Sequence, residues 1–249
     1  MSVPMVSATA SPVGSDAVSW LDSGRGTDRY LVVRAAGVGG ADAVEVAERR
    51  AAVLSAPERE RAGRFHFVAD RLRFTAARWL LRTTLAELTG IAPGDWEFEV
   101  GQRGKPAAHR RFGAAPAFNL AHSGGLAMVG VTDGRDIGVD VQDDRLSGGF
   151  ARLLRSCASA DETAQLRLLP EERQTDRFVA LWVLKEAYLK ARGLGIAAAP
   201  LPCVEFLFDG GDRPRLRLAP QLRDTPAAWR YQLIDAPSGY RAAVCTADT

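Results

Sequence analysis

Cysteine is scarce in this chain, and long apolar runs are missing. Only three cysteines occur among 249 residues, and none belongs to a Cys-x-x-Cys pair. Such an odd, sparse set argues against a disulfide framework and a zinc site, so we expect free thiols. No stretch approaches the roughly 20 apolar residues of a membrane span. The N-terminus also lacks the basic and unbroken apolar parts of a signal peptide, so we expect a cytoplasmic protein.

A large excess of one charge is also absent. The formal net charge is +2, which argues against a nucleic-acid binder that depends on overall positive charge. Positive charge is nevertheless concentrated in one region, because residues 49–82 hold nine arginines against two glutamates and one aspartate. We therefore expect a local surface that attracts anions.

The most informative stretch is a short strand pattern in the middle of the chain. Apolar residues alternate there with Gly138, Asp140 and Gln142, so these three share one face. A helical pattern further on places Glu186 and Lys190 four residues apart, also on one face. Carboxylates from two elements with an ammonium nearby suit a divalent cation and a phosphate, because Mg²⁺ prefers a few carboxylates together with phosphate oxygens.

Three short motifs occur in a fixed order along the chain. They are Phe118–Ser123 (FNLAHS), Ile137–Gln142 (IGVDVQ) and Leu181–Lys190 (LWVLKEAYLK). With the upstream Gly104-Lys105-Pro106 and the arginine-rich segment Leu54–Leu85, they resemble the ordered signatures of the Sfp-type 4′-phosphopantetheinyl transferases. Each motif alone is unspecific, but the order and spacing of all of them are specific.

The resemblance implies an enzyme and its substrates. Such an enzyme transfers the 4′-phosphopantetheine arm of coenzyme A to a serine of an apo acyl or peptidyl carrier protein and releases 3′,5′-ADP. The implied cofactor is Mg²⁺, with Mn²⁺ as an alternative. The third motif is similar to a subgroup associated with secondary metabolism, such as polyketide and non-ribosomal peptide synthesis. We expect a monomer that binds neither nucleic acid nor membranes.

The resemblance also implies roles for the residues of the motifs. Asp140 and Glu186 correspond to metal ligands, and Gln142 is a third candidate although many family members have glutamate there. Glu186 also corresponds to the group that activates the carrier serine, directly or through a water. Lys190 and His122 correspond to groups that contact phosphate.

Further residues match contacts to coenzyme A in the family. This cofactor-binding set is Arg61, Arg73, Arg103, Gly104, Lys105, Pro106, His122, Ser123, Lys185 and Lys190. Two positions depart from the family pattern. Ala121 replaces the serine that commonly precedes His122, and Glu58 stands where a basic contact is expected, so the 3′-phosphate must be held differently.

A helical segment after the strand motif is a candidate for carrier recognition. Phe150–Arg155, together with Arg145, combines arginines with leucines and thus suits an acidic carrier helix. An ordinary amphipathic surface helix explains the same pattern equally well.

The order of elements predicts an α+β protein of two similar lobes, related by a pseudo-twofold, each with helices packed on a mostly antiparallel sheet. Arg73-Phe74 and Arg177-Phe178 open two long helical patterns 104 residues apart. The predicted division is a flexible tail at 1–27, an N-terminal lobe at 28–125 and a C-terminal lobe at 126–249. We expect the active site in the cleft between the lobes.

Two local predictions concern the strands. The dipeptide Asp133-Gly134 predicts a hairpin between the strands at 126–132 and 136–142. Four short strand patterns after residue 203 predict one antiparallel meander.

Two other functions remain compatible with these residues. A Mg²⁺-dependent phosphohydrolase would use the same carboxylates without a carrier protein. A regulatory module that binds coenzyme A or a nucleotide without transfer also stays compatible, because of the departures at Gln142 and Ala121. Nucleic-acid binding is disfavoured, because no recognised motif or aromatic platform accompanies the arginines.

Overall fold

The chain consists of two compact units, Met1–Gly134 and Arg135–Thr249. The computed structural model describes residues 17–23, 31–101, 105–143, 150–194, 200–209 and 214–248, except the side chains of 17–23 and 150–152. In each unit helices pack against antiparallel strands, which confirms the α+β class. No helix in this described part is long and apolar enough to span a membrane.

The first unit is built on a four-stranded antiparallel sheet. Its described elements are β1 (Ala17–Ser23), β2 (Leu31–Gly37), α1 (Ala43–Ala51), α2 (Ala56–Gly63), α3 (Val68–Thr89), β3 (Phe98–Val100), β4 (Pro106–Ala108), β5 (Ala117–Ser123) and β6 (Leu126–Thr132). The sheet order is β1-β2-β6-β5, and β3 pairs with β4 in a separate hairpin. Strand β6 is buried along its whole length, as expected of a strand with a partner on each edge.

Helix α3 packs its apolar side on this sheet. Leu81 and Leu85 are fully buried in one cluster with Phe118 of β5. Because burial of a leucine side chain contributes about 1.5–3 kcal/mol, these contacts fix α3 on the sheet. The start of the helix thereby lies beside the β5–β6 turn, where Arg73 Nη1 donates to the Gly124 carbonyl at 3.2 Å.

The second unit combines a three-stranded sheet with a hairpin. Its described elements are β7 (Ile137–Asp143), α4 (Phe150–Cys157), α5 (Ala160–Arg167), α6 (Glu171–Ala191), β8 (Val204–Phe208), β9 (Pro214–Leu218), β10 (Trp229–Ile234) and β11 (Tyr240–Ala247). The sheet order is β10-β11-β7, and β8 pairs with β9. Short 3₁₀ helices in the two units lie at Pro93–Asp95, Arg110–Phe112, Leu201–Cys203, Pro220–Leu222 and Pro226–Ala228.

The predicted hairpin around Asp133-Gly134 is wrong. Strand β6 pairs with β2 and β5, whereas β7 pairs with β11. Both edges of β6 are therefore already used, and the local turn signal is overridden by pairing with strands distant in sequence. Leu126–Thr132 thus belongs to the first unit, which continues to Gly134, nine residues beyond the predicted end of the N-terminal lobe at 125.

Two other expectations need correction. Residues 1–27, expected as a flexible tail, include β1, which pairs with β2. The last four strands exist as predicted, but they form a hairpin and part of a separate sheet instead of one meander. The pseudo-twofold relation of two lobes and a site between them stay predictions.

The contact between β7 and α6 depends on a glycine. A Cβ built on Gly138 would lie 2.0 Å from the Ala187 carbonyl oxygen and 2.3 Å from the Ala191 nitrogen. Real Cβ atoms do not approach backbone so closely, so only glycine allows the strand to lie directly on the helix. This close approach brings the polar face of β7 against α6.

We expect Gly138→Ala to lower the free energy of unfolding by about 3 kcal/mol, the upper end of overpacking costs, because helix backbone must move to admit the methyl group. Denaturant unfolding followed by circular dichroism measures this loss. Gly37→Ala, also in a strand, is the control: its added methyl meets no atom within 4 Å. Equal stability of the two variants would contradict the expectation.

Candidate active site

Asp140 is the centre of a polar cluster between β7 and α6. It lies two residues after Gly138, on the same face of the strand, and only 3% of it is exposed. Lys190 Nζ donates to Asp140 Oδ1 at 2.6 Å and to the Val139 carbonyl at 3.2 Å. Gln142 Nε2 donates to Asp140 Oδ2 at 3.1 Å. The carboxylate is therefore held on both oxygens.

Glu186 lies near this cluster but is not held in the same way. It is one turn before Lys190 on α6, it is buried, and its Oε1 has no hydrogen-bond partner. Burial raises the pKa of Glu186 above its ordinary value of 4.5, and the negative charge of Asp140 raises it further. Burial also raises the pKa of Asp140, an effect that Lys190 partly offsets. The site thus keeps an unpaired oxygen in a place that disfavours negative charge.

These side chains fit a divalent cation. The candidate ligands are the carboxylates of Asp140 and Glu186 and the amide oxygen of Gln142. Among the residues that the structure describes, no group of three or more His, Cys, Asp or Glu side chains has the arrangement of a metal site. A site with two carboxylates suits Mg²⁺, which commonly takes its remaining ligands from water and from substrate phosphates. The buried, unpartnered oxygen of Glu186 is the feature that a cation would satisfy.

Lys185, predicted to contact the cofactor, is instead buried in the core of the second unit. Only 1% of the residue is exposed, and its Nζ lies 2.6 Å from Glu162 Oε2. It also donates to the carbonyls of Cys157 at 2.7 Å and Leu201 at 3.1 Å. Burial lowers the pKa of Lys185, against the attraction of Glu162. Its ammonium has three acceptors inside the protein, so we assign it a structural role and withdraw it from the cofactor-binding set.

Glu162 connects this lysine to two other elements. Ser159 and Glu162 form a capping box at the start of α5, in which the glutamate accepts from Ser159 N at 2.8 Å. Its other oxygen accepts from Phe206 N of β8 at 2.8 Å. The Ser-x-x-Glu spacing signals the cap in the sequence, but nothing local indicates the partner at Lys185.

Asp224 also holds α6 and was missed by the sequence reasoning. Its Oδ2 accepts from Tyr188 Oη at 2.7 Å and from Trp229 Nε1 at 3.0 Å. The same oxygen lies 2.7 Å from Arg192 Nε. Burial raises the pKa of the Tyr188 hydroxyl, and Asp224 raises it further. Since Asp224 follows Arg223, a left-handed residue in a turn, no periodic pattern could have identified it.

The remaining predicted cofactor contacts belong to the first unit. Arg73 binds Asp70 at 2.6 Å as well as the Gly124 carbonyl, so it lies at the β5–β6 turn. His122 and Ser123 end β5 directly before this turn, and His122 is exposed. Arg73 therefore contacts the turn at the end of the strand that carries His122 and Ser123.

Other members of the predicted set lie elsewhere in this unit. The Arg61 guanidinium stacks 5.2 Å above the centre of the Phe74 ring. Lys105 accepts from Gly101 N at 2.8 Å through its carbonyl and closes the β3–β4 hairpin, which Pro106 continues as the first residue of β4. Arg103 and Gly104 lie outside the described residues.

Glu58 has a structural role where the family pattern has a basic contact. Its carboxylate binds Arg78 Nε and Arg82 Nε, each at 2.7 Å, and it completes a capping box with Ser55. These arginines hold the pKa of Glu58 below its ordinary value, despite its burial. The residue joins α2 to α3, so a 3′-phosphate at this place would have to be bound by its neighbours.

The predicted carrier-docking face is described only in part. Helix α4 forms as predicted, Leu153 and Leu154 pack on the core, and Arg155 is exposed. The side chain of Arg152 and the whole of Arg145 lie outside the described residues. The docking face therefore stays a prediction.

Comparison with known proteins gives two adjacent family matches. Residues 45–132 match the model described as 4′-phosphopantetheinyl transferase, N-terminal, and residues 136–245 match that of the 4′-phosphopantetheinyl transferase superfamily. The two matches meet within a few residues of the division between the compact units. Each unit thus corresponds to a different family model.

Two curated relatives carry the name 4′-phosphopantetheinyl transferase. The 4′-phosphopantetheinyl transferase HetI of Nostoc sp. is 39% identical over 171 residues, which are 68% of this chain and 71% of that protein. A 4′-phosphopantetheinyl transferase of Bacillus subtilis is 31% identical over 202 residues, 80% of this chain and 85% of that protein. A holo-(acyl-carrier-protein) synthase from Bacillus anthracis, solved in complex with CoA (3′,5′-ADP), is 20% identical with a TM-score of 0.39, covering 45% of this chain and 94% of that chain.

We expect Lys185→Met to lower the free energy of unfolding by about 3–5 kcal/mol, because it leaves Glu162 charged and buried without its partner. Denaturant unfolding measures the loss. The double variant Lys185→Met/Glu162→Gln should lose less than the sum of its single variants. Arg49→Met removes an exposed ion pair with Glu45 and is the control, with a change below about 0.5 kcal/mol. A small loss for Lys185→Met would refute the structural role.

We expect Glu186→Gln to raise the free energy of unfolding at neutral pH by about 1 kcal/mol in metal-free buffer. Because the folded pKa of Glu186 is raised, its ionisation opposes folding as pH rises through that value, and the neutral amide removes this cost. Asp140→Asn is the matched variant and should gain less, because it removes a buried charge of raised pKa but also the partner of Lys190. Thermal and denaturant unfolding with a chelator present measure both changes; destabilisation by Glu186→Gln would contradict the expectation.

Proposed function

The chain belongs to the 4′-phosphopantetheinyl transferase superfamily, and on this premise we propose that it transfers the 4′-phosphopantetheine arm of coenzyme A to a serine of an apo acyl or peptidyl carrier protein. The other product is 3′,5′-ADP. Family models match both units, and the transferase from Nostoc is aligned over 71% of its length. The proposal therefore applies to the chain as a whole.

One observation in the molecule supports the proposal above the others. The buried, unpartnered Oε1 of Glu186 lies beside the buried Asp140, with Lys190 bound to the latter. A protein rarely keeps such an unsatisfied buried carboxylate oxygen, because desolvation without a partner costs free energy. A ligand that brings positive charge removes this cost, and a diphosphate with its metal ion is such a ligand.

Mg²⁺ held by Asp140, Glu186 and Gln142 would neutralise charge on the diphosphate. Glu186 accepts the proton of the carrier serine directly or through a water. The serine oxygen forms a bond to the phosphorus that carries the pantetheine, and the bond from that phosphorus to the 3′,5′-ADP oxygen breaks. Lys190 stabilises the negative charge that develops on the phosphate oxygens.

Residues of the first unit hold coenzyme A in this proposal. Arg73, His122 and Ser123 offer donors around the β5–β6 turn, and Arg61 offers a further cation. Lys105 and Pro106 contribute the end of the β3–β4 hairpin, and Arg103 and Gly104 keep their predicted role. We also propose that the enzyme acts as a cytoplasmic monomer.

The decisive measurement is the mass of an apo-carrier protein after incubation with this protein, coenzyme A and Mg²⁺. We expect a gain of one phosphopantetheine group, and a loss of this activity by at least about 100-fold in Glu186→Gln and Asp140→Asn, the scale of general-base and charge stabilisation. Arg230→Gln, whose ion pair with Asp248 lies at the surface, is the control with unchanged activity. An unchanged carrier mass with several carriers would refute the proposal.

The same reaction separates the transferase from a phosphohydrolase. A phosphohydrolase would release 3′,5′-ADP from coenzyme A at the same rate with and without carrier. The transferase releases it only when an apo-carrier is present.

A further inference from the structure

Arg241, on β11, is a cation beside the candidate site. In the β11–β7 pairing it stands directly opposite Gln142. Side chains of directly opposite residues in an antiparallel pair share one face, with Cβ atoms about 4.5–5.5 Å apart. Arg241 is therefore the cross-strand neighbour of a candidate metal ligand.

The ion pair of Arg241 confirms which face of the sheet it occupies. Its Nη2 binds Asp176 Oδ1 on α6, the helix that also carries Glu186 and Lys190. The next opposite pair along the strands is Ala243 with Asp140. Arg241, Gln142 and Asp140 thus lie on the side of the sheet that packs against α6.

Arg241 is available to a ligand at low cost. Its side chain is 40% exposed and that of Asp176 is 49% exposed, whereas Asp140 is buried. Exposed ion pairs of this kind contribute little to stability, because water solvates and screens both charges. Arg241 Nη1 also donates to the carbonyl of the adjacent Tyr240 at 3.2 Å.

Arg241 carries a positive charge on the side of the sheet that faces α6. Lys190 is bound to Asp140, so these two charges largely compensate one another. Gln142, the cross-strand neighbour of Arg241, is neutral and does not compensate the guanidinium. A planar guanidinium binds two phosphate oxygens at once, which an ammonium does not do.

We infer that Arg241 binds a phosphate of the coenzyme A diphosphate, exchanging its exposed pair with Asp176 for this contact. Arg241 then contributes positive charge from β11. This inference rests on the proposed function and adds a binding residue outside the three sequence motifs. Asp176 acts as the competing anion that holds Arg241 when coenzyme A is absent.

Calorimetric titration of the protein with coenzyme A tests the inference. We expect Arg241→Gln to weaken binding by about tenfold, the size of a lost charge-assisted hydrogen bond. Arg230→Gln is the matched control, because Arg230 belongs to the same sheet and is paired with Asp248 at the surface. Equal affinities of the two variants would overturn the inference.

Asp176→Asn distinguishes ligand binding from a structural ion pair. If Asp176 competes with the phosphate, this variant binds coenzyme A as tightly as the original protein or more tightly. If the ion pair only supports the fold, Asp176→Asn weakens binding as Arg241→Gln does, and the inference is wrong.

Arg241→Lys keeps the charge without the planar guanidinium, and we expect its affinity for coenzyme A to lie between those of the original protein and Arg241→Gln. Should Arg241→Gln not fold, an affinity of Arg241→Lys equal to that of the original protein overturns the inference.

Carrier kinetics separate this inference from the proposed function. We expect Arg241→Gln to raise the KM for coenzyme A and to leave the KM for the carrier unchanged. A rise confined to the carrier KM would place Arg241 at a carrier interface and overturn the inference. If the unmutated protein binds coenzyme A but modifies no carrier, the proposed function is refuted. The coenzyme A affinities of Arg241→Gln and Arg230→Gln would still decide whether Arg241 binds the phosphate.

Discussion

The candidate site depends on the direct contact between the backbones of β7 and α6 at Gly138. With any larger residue, the strand and the helix would have to separate by the width of a methyl group or more. Lys190 Nζ lies 2.6 Å from Asp140 Oδ1, a distance at the short end for a charged hydrogen bond, so the pair tolerates little separation. Gly138 and Asp140 of the Gly-x-Asp motif therefore act together, because Gly138 sets the distance between the strand and the helix at which Asp140 can bind Lys190.

Buried charged side chains in the second unit differ in whether their hydrogen-bonding atoms have partners. Lys185 has three acceptors within the protein, and both oxygens of Glu162 accept hydrogen bonds. Such a fully satisfied pair tolerates burial and fixes geometry. Glu186 is buried with an oxygen that has no partner. The difference supports the proposal that the first pair serves the fold and that Glu186 binds a ligand, since natural proteins often break the rules of polar satisfaction at functional sites.

Local periodicity was enough to predict which side chains of the candidate site share one face of their strand or helix. A strand period of two places Asp140 and Gln142 together, and an i, i+4 spacing does the same for Glu186 and Lys190. The sequence could not indicate what Lys185 contacts, because its partner Glu162 is 23 residues away. The hairpin prediction failed for a related reason, since the partners of β6 come from distant parts of the chain. Properties set by neighbours along the chain were predictable, and those set by tertiary pairing were not.

The adjacent residues Lys185 and Glu186 show how one helix serves both fold and site. Successive residues of an α-helix point about 100° apart, so when Lys185 enters the core, Glu186 must point towards a different side of α6. Three acceptors fix the ammonium of Lys185, and Asp224 holds Tyr188 and Arg192 further along the same helix. These contacts resist rotation of α6 about its axis. The direction of the Glu186 side chain is therefore determined by buried residues that need not contact a substrate. Lys185, although it belongs to the motif, can thus have a purely structural role.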